Sequence, residues 1–335
     1  MTAYSKPYLP IVDQLVLLDG RGLAIRDEVL AAACLERIGY YRLSAYWYSF
    51  RKRVPDGKGG TDAADDFLPG SDFEQAVNLY VFDKKLRMLM LDAIERIEVA
   101  LRVDIALELG KRDPLAHRMP EHLDGVFAKR VQQPRGTSLH ADWLERLDYY
   151  TKRSKEDFVK RFQSRYTSPL PVWMAIELWD FGMLSKFLEG MKYADKATIS
   201  KKYGVADPNI FASWVRSINF VRNVCAHHNR LWNRVLVDQP KMPKVGEIIQ
   251  LDHIVKDSNI LTKVYAVAAI LQHMMQNINP SSQWAMRLSD HLETLPSAPG
   301  INEGQTGFPQ DWRGLELWLK QISKEPRKDE KVNVP

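Results

Sequence analysis

The sequence predicts an all-α fold, a helical bundle, on three observations. Apolar residues recur at helical spacing along most of the chain. No alternation with a period of two runs long enough to propose a sheet. Glycine and proline clusters fall between the periodic segments and punctuate them. With 335 residues, 45% of them hydrophobic, the chain has ample material for a sizeable core.

Each element follows from its own pattern. Ile11, Leu15 and Leu18 stand at i, i+4 and i+7, so a first helix is expected to stop at Gly20. A second is expected from Asp27 to Phe50. The stretch VPDGKGGTDAADDFLPGSD (54–72) is glycine, proline and aspartate, and reads as a loop. Ser71 or Asp72 then caps a long helix from Phe73 that ends at Gly110. Pro114, Pro120 and Pro134 break the pattern from Lys111 to Thr137, and a helix resumes over Ala141–Lys152. Pro169 and Pro171 precede another, over 172–191. A further helix is expected from Ile210 to Val235, and a last one ends before Pro280. Beyond it lie a Pro/Gly-rich region and a charged tail, KEPRKDEKVNVP (324–335), expected to fray. No repeat at solenoid spacing is present.

Composition narrows the function classes. Lys and Arg number 47 against 42 Asp and Glu, a formal net charge of +5. That mild excess fits a nucleic-acid or phosphate-bearing partner and decides little by itself. Cys34 and Cys225 are the two cysteines, so neither a disulfide framework nor zinc spacing can be written. This suits a reducing compartment. The start, MTAYSKPYLPIVDQ, has no apolar core of signal-peptide length. No run reaches the roughly 20 apolar residues of a membrane span. A cytoplasmic protein without membrane contact is expected. No glycine-rich phosphate loop, serine-histidine-aspartate order or metal cluster emerges, so no cofactor and no metal is expected.

The densest polar stretch is RNVCAHHNRLW (222–232). On a helical wheel continued to Val235, Asn223, His227, Arg230 and Arg234 share one polar arc, with Arg222 at its edge. His228 falls among Phe220, Val221, Val224, Leu231 and Trp232, and is expected to face the core. Histidine titrates near neutral pH and serves as general acid or base. Arginine offers a planar fork that matches phosphate oxygens. Together they suit RNA cleavage in which the 2′-hydroxyl attacks the adjacent phosphorus, histidine moves a proton and arginine stabilises phosphoryl charge. The spacing alone is weak, because Arg112/His117 and Arg135/His140 repeat it. The bland alternative is a polar helix face paired with a neighbouring helix.

Three other groups carry two readings each. Glu98 and Arg102, at i, i+4, form a solvated ion pair, or else support the catalytic helix or touch RNA. Glu177, among Trp173, Ile176, Leu178 and Trp179, is expected to be buried, bonded either to the Arg/His helix or to another helix. The aromatic run Tyr40, Tyr41, Tyr46, Trp47, Tyr48 and Phe50, with Arg37, Arg42 and Arg51, either stacks on unpaired bases or packs in the core. Its apolar residues lie nearly all round the helix, which favours the core.

The segments 35–51 (LERIGYYRLSAYWYSFR), 79–102, 171–187 and 220–234, with a weaker match at 306–318, together resemble the abortive-infection (Abi) proteins of the AbiD/AbiF type, bacterial anti-phage proteins. Arg222-Asn223-x-x-x-His227 also resembles the signature of HEPN domains, helical ribonuclease modules in which the Arg and His cleave RNA without metal. The resemblance implies an N-terminal helical region (1–53) packed on a HEPN-like domain (72–278), followed by an irregular segment (279–335) with one short helix. It implies a homodimer that joins two motifs at its twofold axis, with RNA as substrate and as a regulatory or antitoxin partner. Arg222 and His227 would be catalytic, and Asn223, His228, Arg230, Glu98, Arg102 and Glu177 supporting or RNA-binding. A catalytically silent HEPN-type protein that binds RNA or protein, and a phage sensor, remain as alternatives.

Overall fold

The computed structural model describes residues 7–57, 59–257 and 259–322. Fifteen α-helices and two small two-stranded sheets make up its regular structure among those residues, so the fold is mostly α as the sequence predicts. The charged tail at 324–335 lies outside the described residues.

The first helix, α1 (Ile11–Gly20), follows its pattern. The expected single helix from Asp27 to Phe50 is two: α2 (Glu28–Arg37) and α3 (Tyr40–Trp47). Gly39 separates them with φ +91°, a conformation that side chains with a Cβ rarely adopt. The aromatic run divides accordingly. Tyr46, Trp47 and Phe50 are buried, while Tyr41 projects into solvent.

The segment read as a loop contains a hairpin, β1 (Arg51–Pro55) and β2 (Thr61–Phe67), antiparallel with Arg51 opposite Phe67. Phe67 is its one fully buried strand residue, so no alternating apolar face marks it in sequence.

Helix α4 (Phe73–Gly110) is the axis of the molecule. At 1.5 Å per residue its 38 residues run for roughly 57 Å. A capping box starts it: Asp72 accepts the Glu74 N–H at 2.7 Å, and Gln75 accepts the Asp72 N–H at 3.1 Å. After it come α5 (Gly125–Lys129), a short hairpin of β3 (Val131–Gln132) and β4 (Thr137–Ser138), α6 (Leu139–Arg153) and α7 (Asp157–Gln163). The helix expected over 172–191 is again two, α8 (Val172–Ala175) and α9 (Phe181–Glu189), joined by a turn. Then follow α10 (Tyr193–Lys202) and α11 (Pro208–Ala226).

The C-terminal third is α12 (Asp252–Val255), α13 (Val264–Ile278), α14 (Trp284–Leu292) and α15 (Glu316–Ile322). All twelve residues from Val264 to Met275 are buried, so α13 is enclosed on every side. Helix α14 lies in the segment read as irregular and is bonded to the axis. Trp284 donates its indole N–H to the Leu89 carbonyl at 2.7 Å. His291 Nε2 meets the Phe82 carbonyl at 2.9 Å, and Arg287 pairs with Asp92 at 2.5 Å. Helices α3, α8, α11, α13 and α14 all pack on α4. No described helix is long and apolar enough to cross a membrane.

Candidate functional site

Helix α11 begins at Asp207, whose carboxylate accepts the Asn209 N–H at 2.8 Å, with Pro208 in the first helical position. Phe211, Trp214, Val215, Ile218 and Val221 bury one face. The helix then stops at Ala226, nine residues short of the Val235 expected from the wheel. The termination is a Schellman turn. His228 donates its N–H to the Cys225 carbonyl at 3.0 Å and Asn229 to that of Val224 at 2.9 Å. His228 takes the left-handed position with φ +57°, where glycine is usual and histidine is tolerated.

The turn is held from beneath. Asp83 of α4 is fully buried and accepts the N–H groups of Leu231 and Trp232, the latter at 2.8 Å. Tyr46 donates its hydroxyl to Asp83 at 2.8 Å, and Arg87 pairs with it at 2.5 Å. Burial pushes the Asp83 carboxyl up, and Arg87, Tyr46 and the two backbone donors pull it back. Arg87 also reaches the Asn229 carbonyl at 3.3 Å, and Arg42 of α3 donates to the His228 carbonyl at 2.7 Å.

This overturns the wheel beyond Ala226. His228 is exposed, not packed in the core. Arg230 leaves the polar arc: its guanidinium donates to the Ala45 carbonyl and is largely withdrawn from solvent. Burial lowers its pKa from the usual arginine value. Arg234 sits over the Phe220 ring, 5.8 Å from its centre. Leu231 and Trp232 are buried as expected, but through Asp83 and not through a continued helix.

Arg222, Asn223 and His227 do come together. With Asn219 they form one wall of a cleft of about 570 Å³. Arg146 of α6 and Asp180, Gly182 and Lys186 around α9 form the other. Asp180 caps α9 by accepting the Met183 N–H at 2.8 Å. Its second oxygen accepts from Arg146 at 2.6 Å and from the Tyr150 hydroxyl at 3.2 Å. Arg146 is held charged, foremost by its hydrogen bond to Tyr150 and then by Asp180, against partial burial. Arg222 reaches only the neighbouring Asn223 amide, at 3.5 Å, and has no ion pair among the described residues. Asn219 Oδ1 is buried at the cleft wall without a hydrogen-bond partner among them. Arg146, Arg222 and Lys186 line the cleft against the one lining carboxylate, Asp180, so the lining carries an excess of positive charge, although Lys186 also pairs with Glu189 at 3.5 Å.

Arg146, Asp180, Lys186 and Asn219 were not singled out by sequence. Arg146 on α6 and Asp180 and Lys186 at α9 lie far from the motif in the chain, and no spacing joins them to it, whereas Asn219 stands at i, i+4, i+8 with Asn223 and His227 and could have been found from helical spacing.

Glu98, Arg102 and Glu177 lie off the cleft. Arg102 pairs with Glu98 at 2.6 Å as the i, i+4 spacing predicts, but the pair is half-buried, not solvated. Arg102 also donates to the carbonyls of Glu177, at 3.4 Å, and Trp179, at 2.8 Å. It thereby fixes the turn that leads into Asp180. Glu177 is exposed, contrary to the expected burial. Its partner is Arg102, at 3.4 Å, and not the Arg/His helix.

The two decoy spacings resolve cleanly. Arg112 forks onto Asp195, and His117 is fully buried with its pKa pushed down to about 3, mainly by burial. Arg135 pairs with Asp142 at 3.1 Å, while His140 is buried against the His117 carbonyl. Among the described residues no three His, Cys, Asp or Glu side chains converge as a metal would require.

Fold and cleft define a helical protein that carries an Arg-Asn-His wall at the C-terminal end of one helix, facing a second basic wall. The profile of the Abi-like protein family matches residues 33–233, well over half of the chain, and the chain belongs to that family. Membership suggests a function in abortive infection. No curated protein and no solved structure matches the chain.

Proposed function

We propose that the protein is a metal-independent endoribonuclease of the HEPN type, acting in anti-phage abortive infection. The observation that carries this reading is the joint placement of Arg222, Asn223 and His227 on a cleft whose facing wall adds Arg146 and Lys186. In the mechanism, the arginines and lysine hold the scissile phosphate. His227 takes or gives the proton of the ribose 2′-hydroxyl or the leaving 5′-oxygen. The nucleophile belongs to the substrate, so the products carry 2′,3′-cyclic phosphate and 5′-hydroxyl ends.

One motif supplies one acid/base histidine, whereas the reaction uses both an acid and a base. A homodimer that apposes two clefts supplies the pair. RNA is then the substrate, and a regulatory or antitoxin RNA is the restraining partner.

A second reading has its own support. The His227 ring makes no hydrogen bond, among the described residues, to a group that would orient it, and catalytic histidines are usually so oriented. A non-cleaving RNA-binding protein needs no such partner.

Sequencing of RNA 5′-hydroxyl ends in cells that express wild type or Arg222→Ala tests the proposal. New ends that appear with wild type and vanish with Arg222→Ala are expected, and cleavage in vitro should persist in EDTA. Intact co-purifying RNA with no such ends under phage challenge would establish the binding reading.

A further inference from the structure

Charge is not spread evenly along this chain. Residues 152–165, from the end of α6 through α7, hold six cations, Lys152, Arg153, Lys155, Lys160, Arg161 and Arg165, against Glu156 and Asp157. The whole chain has a formal net charge of +5, so this one stretch carries most of its excess. All six side chains are exposed, and none pairs with a carboxylate among the described residues. Exposed arginines elsewhere do pair, Arg135 with Asp142 and Arg216 with Glu189. A run of one sign repels itself, and a polyanion relieves that repulsion.

One face of α6 joins this run to the cleft. Arg146, Tyr149, Tyr150 and Arg153 stand on it at i, i+3, i+4 and i+7. Arg146 lines the cleft, and its guanidinium lies 5.4 Å from the centre of the Tyr150 ring. The Tyr150 ring is 5.9 Å from that of Tyr149. Arg153 lies over Tyr149 at 5.2 Å. Cation, ring, ring and cation follow one another for two turns of helix, roughly 10 Å, outward from the cleft. Tyr149 is 54% exposed, and its hydroxyl makes no hydrogen bond among the described residues, so core packing does not account for it.

The alternation selects a ligand. Cations alone accept any polyanion, and exposed rings alone accept any apolar partner. A strand of unpaired nucleotides offers a row of phosphates and a row of flat bases together, and arginines beside stacking rings match both. In a duplex the bases stack on one another, and side-chain rings cannot reach their faces.

We infer that this face of α6 is a track for single-stranded RNA, along which the strand held in the cleft continues past Tyr150 and Tyr149 to Arg153 and Lys155. The inference rests on the reading of the cleft as an RNA site, and holds whether that RNA is cut or only bound.

Fluorescence anisotropy on the full chain tests it. The probes are a 2′-O-methyl uridine strand of about 16 nucleotides, which lacks the attacking hydroxyl and stays intact, and the same strand annealed to its 2′-O-methyl adenosine complement. The single strand should bind at least about tenfold tighter than the duplex. Tyr149→Ala should weaken single-strand binding about tenfold and leave the salt-dependence slope unchanged, because a ring and no charge is lost. Arg153→Ala should lower that slope by about 0.7, the share of one phosphate on a single strand. Both residues are exposed, and thermal melts check that the variants fold. Absence of binding, equal affinity for the duplex, or wild-type affinity and slope in the folded variants would each overturn the inference. Binding weakened by Tyr149→Ala and untouched by Arg222→Ala would keep RNA on α6 and overturn the reading of the cleft instead.

Discussion

The carboxylate of Asp83, in the first third of α4, accepts the backbone N–H of Trp232 at 2.8 Å. One buried side chain on the axis thus fixes the turn that ends α11 and presents His227 to the cleft. Asp83→Asn keeps the shape and removes the charge that compensates buried Arg87. Breaking such a pair costs about 3–5 kcal/mol, and urea unfolding should show a loss of that order. A loss under about 1 kcal/mol would mean that the Asp83–Arg87 pair does not hold the turn.

His227 and His228 separate by backbone and not by burial. His227→Ala should leave stability nearly unchanged and cut RNA cleavage by about 10²–10⁴. His228→Gly relieves a left-handed residue and should raise stability by roughly 1 kcal/mol. Melts and cleavage assays on both variants decide it. Should His228→Gly be stabilised yet inactive, the proton carrier is His228.

The facing wall should act through charge. Arg146→Ala is expected to weaken RNA binding about equally across sequences and to lower the salt-dependence slope by about 1. Filter binding across a salt series measures both quantities. A slope equal to that of wild type would remove Arg146 from the RNA contact.

Acid should destabilise the fold through neutral buried histidines. Burial lowers the pKa values of His117, His140, His253, His273 and His291, that of His117 to about 3. The unfolded chain, with histidines near 6.5, therefore binds more protons below that pH. The stability from keeping them neutral is full above about pH 6.5 and declines as pH falls toward the folded value, by up to about 1.4 kcal/mol per pH unit for each such group. His117→Phe should flatten the slope between about pH 6 and 4 by that amount. Denaturant titrations at several pH values test it, and parallel slopes would show His117 to be protonated in the fold.

Two clefts should meet across a twofold axis. Light scattering is expected to give a dimer at working concentration. A monomer that cuts RNA would require a second acid/base group within one chain.

The helical class and the long axis were legible in the sequence because each rests on local signals. Asp72 begins α4 as its residue type predicts, and α4 ends at Gly110, which is its last helical residue against the Trp173 ring and not a left-handed cap. The Arg-Asn-His wall was legible as far as Ala226, where helical periodicity still holds. Past that point the wheel failed because the contacts that end α11 come from elsewhere: Asp83 on α4 and Arg42 on α3. The polar run His227-His228-Asn229-Arg230 was itself a stop signal, since such residues favour the last turn and its cap. The hairpin at 51–67 was hidden because both strands are largely exposed and need no alternating face. The opposite wall of the cleft has no local signature at all. Arg146 and Asp180 meet only through the tertiary fold.

The bonds between α14 and α4 set a boundary for anyone who trims this protein. The family match stops at 233, yet Trp284, Arg287 and His291 grip Leu89, Asp92 and Phe82 within the matched span. A fragment cut at 233 would retain the whole cleft and lose both α13 and α14. It would bare the flank of α4 to water, leaving the Leu89 and Phe82 carbonyls without their partners. The stretch by which kinship is recognised is therefore shorter than the stretch that must be synthesised for that cleft to take shape. Grafts, truncations and minimal versions made from this chain should run at least to Leu292.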